Sequence, residues 1–231
     1  KKVMELTWPG EIEKWEEFKE LSYTIVHGAH KGYNLALPRD IYLINPEGLD
    51  WLFNSEIGKQ RLQHLDLLII DESTKFKNSQ SKRFKQLKPW LVGFKRRWIL
   101  TGTPEPNGLE DLFGQIYILD LGRSLGRFIT HYRREFFHLA SYSLYDWQPQ
   151  KDAFPRIVER ISPLVLQLSA EDHLQMPELL NITRHVILPE KSRKLYNELE
   201  SSYITEDESI VAANAAVVSG KLRQVANGAI Y

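Results

Sequence analysis

Two short apolar stretches decide the fold expected for this chain: LDLLIIDE at residues 65–72 and WILTGTP at residues 98–104. Each is an almost unbroken apolar run that ends in polar residues, which is typical of a strand buried on both faces of a parallel sheet. A basic segment around Ser81–Val92 separates them and is predicted to be helical. Because a strand–helix–strand crossover makes the two strands parallel, their carboxyl ends lie at one edge of the sheet. We therefore expect Asp71-Glu72 and Thr101-Gly102-Thr103 to lie side by side at a ligand-binding edge.

The rest of the chain also alternates between strand and helix patterns, which predicts an α/β fold. Before the two stretches, the pattern predicts a helix over 9–21, strands at Tyr23–His27 and Ile41–Asn45, and a loop over Gly28–Asn34. After them it predicts a helix at Leu109–Leu119, a mostly helical segment over 121–160 with a loop near 141–153, strands at Leu164–Leu168 and Thr183–Leu188, a helix from Pro189 onward, and a last helix at Ile210–Val225.

The composition excludes several classes of site. The chain has 231 residues, with 30 Lys and Arg against 30 Asp and Glu, so its formal net charge is zero. It has no cysteine, which excludes a disulfide framework, a thiolate metal site and a cysteine nucleophile, and fits a reducing cytoplasm. The seven histidines show no metal-ligand spacing. No run of 18 apolar residues occurs, so no membrane span is expected.

The balanced net charge hides one uneven stretch. Residues 75–97 contain nine Lys and Arg and no acid. A charged run is usually a solvated face, but most protein surfaces mix the two signs. We therefore expect this stretch to contribute to nonspecific binding of nucleic-acid phosphates.

The adjacent acids at the predicted edge suit a metal–nucleotide complex. One carboxylate can hold Mg²⁺, which prefers oxygen ligands and keeps several of its waters. The next can orient or deprotonate an attacking water. The alternative is that Asp71 and Glu72 have no catalytic role and only stabilise the amino terminus of the following helix, where negative charges are favourable. The residues alone leave both interpretations open.

The two stretches resemble motifs of a known family. The segment DESTKFKN, Asp71–Asn78, resembles motif II of the SWI/SNF-type DNA-dependent ATPases of helicase superfamily two, and LTGTP, Leu100–Pro104, matches their motif III. Weaker similarity extends over Thr7–Trp15, Leu43–Glu47 and Leu222–Gly228, so the resemblance covers nearly the whole chain in order. The compact members from phages and bacteria are the most similar.

The resemblance implies a RecA-like parallel sheet flanked by helices, with a carboxyl-terminal helical protrusion. Residues 1–188 would form most of the first ATPase lobe without its phosphate loop, and residues 189–231 a protrusion leading toward a second lobe. The implied activity is DNA-stimulated ATP hydrolysis that drives translocation on DNA or remodelling of DNA–protein complexes. The implied setting is the cytoplasm of a bacterium or a phage-infected host, and a protein partner displaced from DNA is a further expectation.

The resemblance also assigns roles to residues. Asp71 would bind the Mg²⁺ of Mg-ATP, Glu72 would activate the water, and Thr101 and Thr103 would couple the nucleotide state to DNA contact. Gly102 would belong with these four residues to the nucleotide-binding site. Contacts to double-stranded DNA are implied for a further set of residues, namely Asn45, Lys75, Lys77 and Asn78, with Lys77 first because it matches the motif.

Three departures accompany the resemblance. Thr74 replaces the motif II histidine that helps couple the nucleotide site to motif III, and the double arginine expected after Leu164–Leu168 is not evident. No Gly-x-x-x-x-Gly-Lys-[Ser/Thr] pattern occurs anywhere, so no phosphate-cradling loop is present. The family places that loop upstream of the region matched by Lys1, so we expect a fragment that is inactive alone.

Two other classes remain as alternatives. One is a non-catalytic DNA- or protein-binding module built on a degenerate ATPase lobe, which the lack of a phosphate loop favours. The other is a metal-dependent nuclease, which needs further acids and a lysine around the metal. Asp66, Asp71 and Lys75 are too close together in the sequence to support it.

Overall fold

The computed structural model describes residues 3–105, 107–140, 146–168, 180–202 and 215–228. The chain divides into two compact units, Lys1–Gln167 and Leu168–Tyr231. The domain division predicted at residues 188 and 189 stays a prediction.

The strands form three separate two-stranded sheets. In the first unit β1 (Tyr23–Ile25) pairs in parallel with β2 (Ile41–Leu43), and β3 (Leu67–Asp71) pairs in parallel with β4 (Arg96–Leu100). The last two strands, β5 (Phe137–Leu139) and β6 (Trp147–Pro149), are antiparallel. The α/β class and the parallel pairing of the two decisive stretches are thus confirmed. The single continuous sheet is not formed, because no described strand joins the two parallel pairs.

Ten α-helices are described: α1 (Trp8–Lys14), α2 (Lys31–Ala36), α3 (Leu49–Asn54), α4 (Glu56–Leu62), α5 (Lys82–Leu87), α6 (Glu110–Asp120), α7 (Ile129–Phe136), α8 (Ala153–Ile161), α9 (Glu190–Ser202) and α10 (Ala215–Ala226). Short 3₁₀ helices lie at Glu16–Phe18, Pro46–Gly48, Ser73–Phe76, Lys88–Gly93 and Ser162–Leu164, and a π-helical turn at Val3–Thr7. Within these described ranges, no helix combines the length and the apolar character that crossing a bilayer requires.

The amino-terminal prediction of one helix over 9–21 is wrong. Helix α1 ends at Lys14 because Trp15 adopts an extended backbone, and a 3₁₀ turn follows. Of the apolar residues at helical spacing, Ile12 is buried, whereas Trp15 and Phe18 are about half exposed. The loop predicted over Gly28–Asn34 is also partly wrong, since it contains the first residues of α2.

Two predicted strands are absent from the described part of the chain. Leu164–Leu168 begins at the end of a 3₁₀ helix and continues without strand pairing, and Thr183–Leu188 has no regular structure. Leu166 and Ile187 are 83% and 90% exposed, and among the described residues neither segment has a neighbouring strand or a core that buries its apolar residues. The mostly helical segment 121–160 contains α7 and α8 but also the β5–β6 pair. Residues 141–145 of its predicted loop and 210–214 of the last predicted helix lie outside the described residues.

The two helices predicted for the carboxyl-terminal part are present as α9 and α10, which pack against each other in the second unit. Leu199 on α9 and Val218 and Val225 on α10 are buried. Their part in a protrusion stays a prediction.

Helix α6 lies at the centre of the first unit's core. Its residues from Leu112 to Ile118 are all buried, so it is apolar around most of its circumference. Its aromatic side chains pack against those of α7: the Phe113 ring on α6 lies 5.6 Å from the Tyr132 ring on α7. The Tyr132 ring lies 5.3 Å from the ring of Phe136, also on α7. The Tyr132 hydroxyl donates to the Leu109 carbonyl at 2.8 Å, and burial raises the pKa of this tyrosine.

The two faces of the β3–β4 pair differ. Ile70 is buried, and Leu68 and Ile99 pack against the core. The other face is apolar but open, with Leu67, Ile69, Trp98 and Leu100 each 38–55% exposed. Because parallel sheets are normally covered on both faces, this pair retains a surface for further packing.

Arg97 joins β4 to the ends of two helical segments. Its guanidinium donates to the carbonyl of Leu119 at 3.1 Å near the end of α6, and to those of Leu91 and Phe94 at 2.9 and 2.7 Å. Carbonyls at a helix end have no partner within the helix, so a planar cation with several N–H groups satisfies them well.

We expect Arg97→Met to lower the free energy of unfolding by about 3 kcal/mol, because the apolar stem is kept while the charged hydrogen bonds are lost. Arg96→Met is the matched control: Arg96 is the exposed neighbour on the open face, and the expected change is within about 0.5 kcal/mol. Urea unfolding followed by circular dichroism measures both. Equal losses for the two variants would contradict the helix-end role of Arg97.

Candidate active site

The candidate site lies where β3 and β4 end. In the parallel register, Asp71 is opposite Leu100, so Glu72 and Thr101 are the residues that follow at the same edge. The expectation that the acidic pair and the Thr101–Thr103 segment lie side by side is therefore confirmed. This edge is also where ligands bind in open α/β sheets.

Glu72 has a left-handed backbone, with φ 56° and ψ 57°. This conformation is uncommon for residues other than glycine, and it costs about 1–2 kcal/mol for a residue with a Cβ. It turns the chain out of β3 and into the 3₁₀ helix Ser73–Phe76, and its carboxylate is exposed. A strained, exposed acid at the end of a parallel strand is a pattern that clusters at functional sites.

The second segment at the edge is a short polar turn. The Thr101 hydroxyl accepts a hydrogen bond from the Thr103 backbone N–H at 3.2 Å, which holds the turn in shape. Gly102 and Thr103 are exposed and Thr101 is half-buried. These residues therefore offer backbone N–H and hydroxyl groups next to the carboxylates.

Asp71 accepts a hydrogen bond from the indole Nε1 of Trp8, the first residue of α1, at 3.3 Å. Asp71 and Glu72 are both exposed, so their oxygens are accessible to a cation. Over the described parts of the chain, no cluster of three or more His, Cys, Asp or Glu side chains is arranged to hold a metal ion. Two adjacent carboxylates fit Mg²⁺ of the kind that is bound largely through substrate phosphates.

The predicted DNA-contacting residues fall into two places. Asn45 follows β2, where its amide donates to Glu47 at 2.9 Å. Lys75 and Asn78 are exposed after β3, and the Asn78 side chain accepts from the Gln80 N–H at 2.8 Å. The Lys77 ammonium is instead 2.9 Å from Asp111 on α6 and is largely covered.

In the folded chain, acidic side chains from other segments lie next to several bases of the acid-free run 75–97. Three of its lysines pair with distant carboxylates: Lys77 with Asp111, Lys82 with Asp50 and Lys95 with Asp66. Hydrogen bonds from Lys82 and Gln86 lower the pKa of Asp50. In the described part of the chain, the other six cations of the run have no ion-pair partner, although two of them, Arg83 and Arg97, donate to backbone carbonyls. The remaining four are Lys75, Lys85, Lys88 and Arg96. The run is therefore less uniformly available to phosphates than its sequence indicates.

A buried polar network behind the edge was not predicted from the sequence. Ser73 and Gln115 are 0% and 1% exposed, and the Ser73 hydroxyl donates to Gln115 Oε1 at 2.6 Å. Gln115 Nε2 donates to the carbonyls of Pro104 at 2.5 Å and Asp111 at 2.9 Å. The signal in the sequence is a polar pair at spacing i, i+4, Asp111 and Gln115, in which Gln115 is the one side chain that is not apolar between Leu112 and Leu119.

Because glycine adopts the left-handed conformation without penalty, we expect Glu72→Gly to raise the free energy of unfolding by about 1 kcal/mol. Asp71→Gly is the control: Asp71 is the last residue of β3, and glycine at an ordinary strand position is expected to lower it by about 0.5–1 kcal/mol. Urea unfolding distinguishes the two signs. A loss of stability in Glu72→Gly would show that the backbone at Glu72 is not strained.

Comparison with known proteins identifies relatives by sequence and one solved structure of similar fold. Protein p41 of Acyrthosiphon pisum secondary endosymbiont phage 1 is 31% identical over 243 residues, covering 100% of this chain and 52% of p41. The SWI2/SNF2 ATPase core of Sulfolobus solfataricus, solved in complex with dsDNA, is similar in fold, with a TM-score of 0.54 and 21% identity over 96% of this chain and 45% of that one. The chain thus spans about half the length of these two proteins.

A more distant relative matches part of the chain. The chromatin remodeling factor mit1 of Schizosaccharomyces pombe is 31% identical over 124 residues, which is 49% of this chain and 8% of mit1. The SNF2-related domain matches residues 1–228. Since that match covers nearly every residue, the chain belongs to the SNF2-related domain family.

Proposed function

We propose that this chain is the first lobe of a DNA-stimulated ATPase, a helicase-like translocase or remodeller, to which it supplies motifs II and III. The observation that carries the proposal is the adjacency of Asp71-Glu72 and Thr101–Thr103 at the carboxyl edge of β3 and β4. Family membership supports ATP as the substrate and Mg²⁺ as the cofactor. The helical protrusion formed by α9 and α10, leading toward a second lobe, is part of the same proposal.

The chemistry assigned to the edge is phosphoryl transfer to water. Glu72 would accept the proton of the attacking water. Its carboxylate is exposed and forms no ion pair with the described residues, so it is accessible to that water. Asp71 would hold Mg²⁺, with Glu72 beside it. When bound, the ion neutralises charge that develops on the phosphate oxygens. Thr101, Gly102 and Thr103 would sense the nucleotide through the turn that the Thr101 hydroxyl holds.

Double-stranded DNA is the proposed partner, with Asn45, Lys75, Lys77 and Asn78 as the contacting residues. The Sulfolobus relative is solved with dsDNA, which supports this partner class. Of the two lysines, Lys75 is expected to contribute more, because the Lys77 ammonium is paired with Asp111. Displacement of a protein from DNA, and the cytoplasm of a bacterium or phage-infected host, belong to the same proposal. The phage origin of p41 supports that setting.

The alternative is a non-catalytic DNA- or protein-binding module on a degenerate lobe. The observation in its favour is that no Gly-x-x-x-x-Gly-Lys-[Ser/Thr] pattern occurs in the 231 residues. The β- and γ-phosphates need backbone N–H groups and a lysine of that kind. The two functions differ in whether the full-length protein turns over ATP.

We expect the 231-residue chain alone to hydrolyse no ATP above background, and the full-length protein to hydrolyse ATP faster with duplex DNA. In the full-length protein, Glu72→Gln is expected to leave ATP binding largely intact and to lower turnover by about 10²-fold or more, because an amide cannot accept the proton. Phosphate release and nucleotide affinity measure the two effects.

Glu159→Gln is the matched control, since Glu159 is an exposed acid on α8, outside the proposed nucleotide and DNA sites. Its ATP turnover is expected to stay within about twofold of the wild type, as for other surface substitutions away from the chemistry. Undiminished turnover in Glu72→Gln would remove Glu72 as the base. A full-length protein that binds DNA but never hydrolyses ATP would favour the non-catalytic alternative.

Replacing Lys75 with alanine is expected to weaken duplex binding and to reduce the magnitude of the slope of log affinity against log salt by about 0.9. This is the change expected when one phosphate contact, and the counterion that it releases, is lost. Lys95→Ala removes the same charge at the opposite end of β4, where Lys95 pairs with Asp66, and is expected to leave the slope unchanged. Fluorescence anisotropy over a salt series gives both slopes. Equal slopes for Lys75→Ala and the wild type would exclude Lys75 from the DNA surface.

A further inference from the structure

We propose that one face of α6 is a coupling clamp, formed by Asp111, Gly114 and Gln115, that transmits changes between the loop after β3 and the loop after β4. Gln115 is its positioning residue. The proposal rests on the proposed ATPase function and adds the path by which the two nucleotide-facing loops act together. Over the described residues of the two loops, no hydrogen bond joins one loop to the other directly, so their connection beyond the sheet runs through this helix.

The side-chain amide of Gln115 reaches both loops from a buried position. Its oxygen accepts from Ser73, which directly follows Glu72, and its nitrogen donates to the carbonyl of Pro104, which directly follows Thr103. The second N–H donates to the Asp111 carbonyl one turn earlier in α6. Both amide protons and the oxygen are therefore used, and the amide has one orientation that satisfies all three partners.

Gly114 lets the helix approach the first loop closely. A Cβ at this position would lie 2.4 Å from the Phe76 carbonyl oxygen and 2.5 Å from that of Lys77. These are backbone atoms, so they could make room only if the whole 3₁₀ segment moved. The absence of a side chain at Gly114 thus sets the distance over which Gln115 meets Ser73.

Asp111 forms a second link between the loops, one turn from Gln115. Its Oδ2 accepts from the Lys77 ammonium and from the backbone N–H of Asn107, both at 2.9 Å. Lys77 lies just after the 3₁₀ helix that follows β3, and Asn107 lies in the loop that follows β4. The same helix face therefore holds each loop at two points.

The clamp also accounts for the departure at Thr74. In this chain a threonine replaces the histidine that helps couple motif II to motif III in the family, and the described structure gives the Thr74 side chain no hydrogen bond. The adjacent Ser73 provides the link instead, through Gln115 to Pro104. The link between motif II and motif III therefore starts at Ser73, one residue before Thr74, and passes through α6.

The test uses the full-length protein and compares ATP turnover with and without duplex DNA. Gln115→Met keeps the length of the side chain but removes its hydrogen bonds. We expect its DNA-stimulated kcat to fall by about ten- to a hundredfold, because small displacements of positioned groups have effects of this size, while its KM for ATP stays within about twofold. Ser73→Ala removes one arm and is expected to give a smaller fall, and the double variant no more than Gln115→Met alone.

Ile118→Val is the control, because Ile118 is fully buried on α6 and contributes to the core without a hydrogen bond to either loop. It lowers stability but is expected to keep the ratio of stimulated to basal turnover. A Gln115→Met protein with the wild-type ratio would overturn the clamp and leave the ATPase function standing. A fall of the ratio in Ile118→Val equal to that in Gln115→Met would also overturn it. A wild-type protein without DNA-stimulated turnover would overturn the proposed function and the clamp together.

Discussion

The nearly complete burial of α6 is the constraint on which the rest of the first unit depends. The helix is covered on most sides because three elements pack against it: β4, the 3₁₀ segment after β3, and α7. Its buried polar groups must then find partners inside the protein, since an unpaired buried polar atom costs about 1–3 kcal/mol. Every buried side-chain nitrogen or oxygen in the described residues has such a partner.

That requirement links stability to the site. Gln115, at the centre of α6, satisfies its amide with groups from the two loops at the sheet edge, and Arg97 satisfies the Leu119 carbonyl near the carboxyl end. Asp120 ends the helix by accepting from the N–H groups of Gly122 and Ser124. Hydrogen bonds thus anchor the helix at its centre and at its carboxyl end, while apolar packing covers its other buried side chains. The loop residues that bond Gln115 adjoin the candidate catalytic groups.

The same edge also contains Glu72, which shares a left-handed backbone with only one other described non-glycine residue, Leu121 after α6. Its left-handed backbone is unfavourable, and its carboxylate is exposed beside Asp71. A glycine would suit the backbone better, so stability alone does not explain a glutamate at this position. The combination of local strain with a rigid, fully bonded support behind it is what a preorganised site requires, because the support keeps the strained conformation populated.

The sequence by itself determined the α/β class, the parallel pairing of β3 with β4, and the acids and threonines at their common edge, because the alternation of apolar runs with helical segments and the crossover geometry are local rules. The expected burial of both strand faces was wrong, since one face of the pair is open. The sequence predicted poorly where the outcome depended on distant partners. Leu164–Leu168 and Thr183–Leu188 have strand patterns, but neither pairs with a strand in the part of the chain that the structure describes. The extended backbone of Trp15 ends a helix that the spacing of apolar residues favoured. Only the tertiary structure decided which bases of 75–97 meet acids, and that Gln115 joins the two loops. The physical reason is that ion pairs and buried hydrogen bonds depend on which residues the fold brings together, and separation along the chain does not encode that.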